Sequence, residues 1–176
     1  MTFSGTSLDL PRLIGCPMAV AAAPAFLPIV QALAVELGGE PFSVIDSDRP
    51  VYHAALAHSA NHLVTLVTQA MRALNTIGIE DAASVLRPLL NAALERALSE
   101  GEGALTGPIS RGDVGTVSSH LNALDSLEQA KEPDGRDRDI PASYRALARA
   151  TTQRCEINSQ ITPEVAQQLY QVIDPD

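Results

Sequence analysis

Aromatic residues are scarce in this 176-residue sequence: Trp is absent, and Phe, Tyr and Trp together make up 3%. A core without large rings must be filled by Ala, Leu, Val and Ile, which let helices approach closely, so a mostly helical fold is expected. Basic residues are few, 12 Lys and Arg against 21 Asp and Glu, for a formal charge of −9, and they are scattered along the chain. No nucleic-acid partner is expected, because such a partner needs a concentrated cationic footprint. No apolar run reaches the roughly 18 residues of a membrane span. The most hydrophobic stretch, 13–35, is broken by Pro17, Pro24 and Pro28 and has a single Arg upstream, so neither a span nor a secretory leader is expected. Cys16 and Cys155 are too few and too far apart for a disulfide framework, and a reducing cytoplasm is the expected location. Also missing are a complete Gly-x-Gly-x-x-Gly turn, a P-loop, a Gly-x-Ser-x-Gly elbow and a Cys-x-x-Cys pair.

What remains is a globular composition, 45% hydrophobic with a mean hydropathy of +0.06, enough to bury a core. Residues 16–23 (CPMAVAAA) read as a strand, and 24–39 carry apolar residues at helical spacing up to a Gly38-Gly39 stop. PFSVID then reads as a second strand. Strand, helix, strand in so short a space is the crossover unit of a parallel sheet, and two strands alone cannot complete such a sheet. From Pro50 the pattern becomes helical throughout. Residues 51–77 are apolar around most of the circumference, which predicts a helix buried on several sides. A second helix is predicted over 82–99, capped by Asp81 and kinked or divided at Pro88. A glycine-rich loop, GEGALTGPISRGDVGT, precedes VSSHLNALDSL, which resumes helical spacing. The charged stretch 126–139 reads as a solvated linker or mobile loop. Further helices are expected from Pro141 and from Thr162-Pro163.

Two places gather polar groups that chemistry could use. The first is the start of the long helix, with Tyr52, His53, His58, Ser59, Asn61 and His62. At about 100° per residue His53 and Asn61 fall about 80° apart and two turns along, so both can line one cleft. Spacing alone leaves structural hydrogen bonding and substrate contact equally open for them. His58 and His62 lie one turn apart but lack the glutamate of His-Glu-x-x-His, and no carboxylate or Cys ligand lies nearby in sequence, so no metal is expected there. The second place is Leu105–Thr116, where Thr106, Ser110, Arg111, Asp113 and Thr116 surround glycines. Arg111 can clamp a carboxylate through two hydrogen bonds, or simply pair with a surface acid, while Asp113 or Thr116 can cap the next helix. The embedded Arg-Gly-Asp carries too little information to read, and His120 is expected to be exposed or to pack between helices.

Across residues 2–152 the ordered segments DLPRLIGCPMAV, LGGEPFSV, VYHAALAHSANHLVTL, ALTGPISRGDVGTVSSHL and YRALARAT resemble the Rossmann-like oxidoreductases that carry domain-of-unknown-function family 2520. These look like relatives of pyrroline-5-carboxylate reductase, ketopantoate reductase and the F420-dependent NADP reductases. The resemblance implies a mainly α fold: a helical domain like the C-terminal domain of 6-phosphogluconate dehydrogenase, preceded by a short β-α-β remnant of a Rossmann domain. The implied division is 1–49, the Rossmann remnant, and 50–176, an all-helical substrate and dimerisation domain. The implied activity of an intact enzyme is hydride transfer between NAD(P) and a small carbonyl or imine compound, within a homodimer. His53 and Asn61 would be the catalytic contacts, with Ser59, Thr106, Arg111 and Asp113 binding substrate. Without the glycine-rich turn, tight cofactor binding by these residues alone is not expected, and activity is not expected either. A lysine acid of the ketopantoate reductase kind has no counterpart here, since the sole lysine is Lys131 in the charged stretch. The alternative is a non-catalytic helical homodimerisation domain.

Overall fold

A computed structural model describes residues 5–129 and 139–175. Its architecture is mainly α, with one short parallel β-α-β unit near the amino terminus, the class that composition and patterning led us to expect. The chain forms two compact units, Met1–Leu63 and Val64–Asp176, dividing within a long helix.

In the first unit, β1 (Pro17–Val20) lies parallel to β2 (Glu40–Ser43), with Pro17 opposite Glu40 and Val20 opposite Ser43. The helix between them, α1 (Leu27–Glu36), opens with Pro28 in its first turn, where a missing N–H costs nothing. It ends in a Schellman motif. Gly38, at φ +85°, donates its N–H to the Val35 carbonyl at 2.8 Å, and Gly39 donates to Ala34 at 3.0 Å. Gly39 is also a packing requirement, because a Cβ there would stand 2.5 Å from the Met18 side chain across the strand pair. Helix α2 (Arg49–Thr76) follows a single 3-10 turn, Asp46–Asp48.

In the second unit, the rest of α2 ends at Thr76, before a turn at Gly78, and is followed by α3 (Ala82–Glu100), α4 (Val114–Gln129), α5 (Ile140–Ile157) and α6 (Pro163–Ile173). Asp81 caps α3, accepting the Ser84 N–H at 3.2 Å. Contrary to an expected division, α3 is a single helix through Pro88; that residue and Ser84, whose carbonyl loses its partner, are both exposed, where solvent can satisfy the lost bond. The charged stretch expected as a linker from 126 is still α4 as far as Gln129, and residues 130–138 lie outside the described residues.

The core lies among α4, α5 and α6, where Val117, Leu121, Ala148, Cys155, Ala166, Leu169 and Ile173 are buried together. Arg145 joins all three helices. It donates to the Ile173 carbonyl at 2.6 Å, satisfying the end of α6, and to Asp125 of α4 at 2.5 Å. Among the described residues no buried side-chain polar atom lacks a partner. Helix α2 departs from expectation: although apolar on several faces, it leaves Leu56, Leu63, Val64 and Leu66 exposed.

Candidate functional site

The first unit holds a cleft of about 500 Å³ lined by Ala19, Val20, Ala21, Val30, Val44, Arg49, Tyr52 and His53. Its position follows from the strands. Val20 ends β1 and Val44 follows β2 directly, so the cleft opens at the carboxyl ends of a parallel pair. In open parallel sheets this is where ligands bind, because the strands deliver chain ends and helix starts to the same edge. The first turn of α2 supplies the polar side. Arg49 and His53 lie one turn apart on the helix, and Tyr52 packs edge-on to Phe42, ring centroids 6.0 Å apart. Arg49 and Asp46 form an exposed ion pair at 3.6 Å.

Of the other expected residues in this unit, Ser59 turns its hydroxyl back onto the helix, donating to the Leu56 carbonyl at 3.1 Å. Asn61 is exposed, and neither it nor Ser59 lines the cleft. His58 and His62 meet edge to face, with their Nδ1 atoms 2.9 Å apart. Among the described residues no three His, Cys, Asp or Glu side chains cluster as metal ligands.

In the second unit the glycine-rich loop is held by its own architecture. Asp113 caps α4, accepting the Thr116 N–H at 3.0 Å and the Thr116 hydroxyl at 2.6 Å. These two bonds, side chain first, hold its carboxyl below the usual carboxylate range, with a smaller pull from Arg111. Gly112, at φ +67°, packs against α6 so closely that a Cβ would stand 2.8 Å from Val165 Cγ1. Arg111 is exposed.

Thr106, also exposed, borders a mainly apolar cavity of about 490 Å³ within this unit, together with Gln69, His120 and Tyr144. There His120 Nδ1 and the Tyr144 hydroxyl share a hydrogen bond at 3.0 Å, and burial pushes the Tyr144 phenol above its ordinary value. Gln69 is buried, donating to Asp139 at 2.8 Å and to Ser143 at 2.9 Å. Sequence reasoning passed over Arg49 and Tyr144 as site residues. Arg49 stands immediately before the Pro50 taken as the start of the helix, and a tyrosine on an amphipathic helix carries no signal of the cavity beside it.

The family described as a domain of unknown function, DUF2520, matches residues 16–151, covering both strands, the cleft and the glycine-rich loop. The chain belongs to the DUF2520 family. Its fold is similar to that of protein TM1727 from Thermotoga maritima, with a TM-score of 0.70 at 20% identity over 89% of this chain. This DUF2520 chain spans 60% of the length of that structure. No curated protein matches the sequence. No helix among the described residues is long and apolar enough to cross a membrane.

Proposed function

We propose that this DUF2520 chain is the substrate-binding and dimer-forming portion of an NAD(P)-dependent oxidoreductase that transfers a hydride to a small carbonyl or imine compound. The observation that carries this reading is the cleft at the carboxyl ends of β1 and β2, with His53 on its wall. Reduction of a carbonyl or imine requires a proton as well as a hydride. An imidazole in a cleft at the sheet edge can hold that proton near the reacting atom. Asn61 and Ser59 of α2 and, separately, Thr106, Arg111 and Asp113 of the glycine-rich loop in the second unit remain proposed substrate contacts.

The dinucleotide itself does not fit the residues described. A pyrophosphate needs a glycine-rich turn running from a strand into a helix amino terminus, and the connection from β1 to α1, residues 21–26, is AAAPAF, without a glycine. The reading therefore assigns cofactor phosphates to residues outside this sequence. Calorimetric titration of NADPH and NADH into this chain, and into a longer version carrying a Gly-x-Gly-x-x-Gly turn, tests it. Binding by the longer version alone is expected; binding by neither would overturn the oxidoreductase reading.

A second copy of the chain is the proposed partner. Val85, Leu89, Leu94 and Leu98 of α3 are exposed, as are Leu56 and Leu63 of α2, and apolar surface of this kind invites association. The same observation favours the second reading, a homodimerisation domain without catalysis, which the NADPH titration separates from the first.

A further inference from the structure

We infer that Arg49 makes the first unit's cleft an oxyanion site, taking the carboxylate or phosphate end of a small ligand. This rests on reading the cleft as a ligand site, but it does not require the reaction there to be a hydride transfer.

Charge placement is the first argument. The protein carries a formal charge of −9, so its surface repels anions on average. Arg12 and Arg49 are the only Arg or Lys among residues 5–63, and Arg49 lines the cleft. None of the lining residues is acidic. A permanently charged, planar, five-donor group at the wall of a concave site suits an oxyanion, which it can meet with two parallel hydrogen bonds.

Placement on the helix is the second argument. Arg49 is the first residue of α2; its N–H is taken by the Asp46 carbonyl and the next residue, Pro50, has none, so the guanidinium is the donor this end of the helix offers to the cleft. His53 lies four residues on, about 6 Å along the axis and on nearly the same side of the helix. An oxyanion held at Arg49 therefore leaves the atoms two or three bonds further along the ligand beside the imidazole. The pair thus has an anchoring end and a reacting end.

The state of Arg49 is the third. Its partner Asp46 is 3.6 Å away, in a pair whose side chains are 66% and 83% exposed. Water competes for both groups, so the contact is weak. Asp46 positions the guanidinium without sealing it, and an incoming anion can displace the carboxylate.

The test is titration of the chain with oxalate and, separately, with inorganic phosphate, at constant ionic strength, following the Tyr52 and His53 resonances by NMR. We expect saturable shifts that weaken at least tenfold in Arg49→Gln. They should tighten about twofold to threefold in Asp46→Asn, which removes the competitor. Because Arg49 and Asp46 are exposed side chains, neither change threatens the fold, and unshifted resonances of β1, β2 and the buried Ala34 of α1, in the same unit, verify this. Stronger binding of oxalate identifies a carboxylate-bearing ligand; stronger binding of phosphate identifies a phosphoryl end. Equal affinities in Arg49→Gln and the parent chain, or no saturable shift with either ion, would overturn the inference. A longer chain that fails to bind NADPH would overturn the oxidoreductase reading and leave this one standing.

Discussion

Helices α3 and α6 draw on similar apolar residues and end in opposite surroundings. In α6, Ala166, Leu169 and Ile173 repeat at helical spacing on one face, and all three are fully buried against α4 and α5. In α3, Val85, Leu89, Leu94 and Leu98 spread over more than one face, and all are exposed. One stripe can be satisfied by two neighbours in the same chain. Several stripes cannot, and the surplus stays in water until something else arrives. The pattern thus counts the faces that need covering but does not name what covers them.

Paired substitutions break this comparison most sharply. Leu169→Ala removes a side chain that is 0% exposed and leaves a cavity among three helices, an expected loss of about 2–5 kcal/mol in urea unfolding. Leu98→Ala alters a side chain that is 77% exposed, and its effect on unfolding of a single chain is expected within about 0.5 kcal/mol. Similar losses at the two positions would mean that α3 is already covered. Sedimentation of Leu98→Glu separates the remaining cases: a shift toward monomer shows that a second copy covers α3, and an unchanged sedimentation coefficient removes α3 from the proposed interface.

How much of this was legible in the sequence follows from the same physics. The β-α-β unit, the Gly38-Gly39 stop, the Asp81 cap and the Thr162-Pro163 start are local signals, set by backbone sterics and end-group hydrogen bonding within a few residues, and each is present in the structure. The burial expected for α2 is not found in the single chain, because an apolar pattern shows how many faces could be covered and not whether the chain covers them. The division of α3 at Pro88 does not occur because solvent exposure, which the sequence does not display, lowers the cost of a lost helix bond. His53 was singled out because it adds polarity to an apolar run, and it does line the first unit's cleft. Arg49 and Tyr144 were not singled out, because what makes them notable is the concavity beside them, which arises from distant segments coming together.

The glycine-rich loop sharpens the contrast between site and scaffold. Gly112→Ala places a methyl group 2.8 Å from Val165 Cγ1 at a backbone φ of +67°, so both sterics and conformation oppose it. A loss of about 1–3 kcal/mol is expected in thermal or urea unfolding. A neutral result would show that the loop and α6 are free to separate, and would release Gly112 for a ligand-binding role.

Asp113 carries the smallest expected effect, visible through its pH dependence. Its carboxylate accepts from both the hydroxyl and the N–H of Thr116, which stabilises the charged form and holds its pKa below the ordinary range. For a depressed carboxyl, the linked stability is fully present above the unfolded-state pKa and is lost as pH falls through the folded one. Asp113→Ala should therefore lower the unfolding midpoint at pH 7, and its deficit relative to the parent chain should shrink as the solution is taken below the usual carboxylate range. Asp113→Asn caps without a charge, so its stability should lack this particular acid dependence. A deficit in Asp113→Ala that persisted unchanged at low pH would show that the side chain caps as well when protonated, so that its charge adds nothing to the two hydrogen bonds. No deficit at either pH would instead show that the loop is held without the cap, leaving Asp113 available to a substrate.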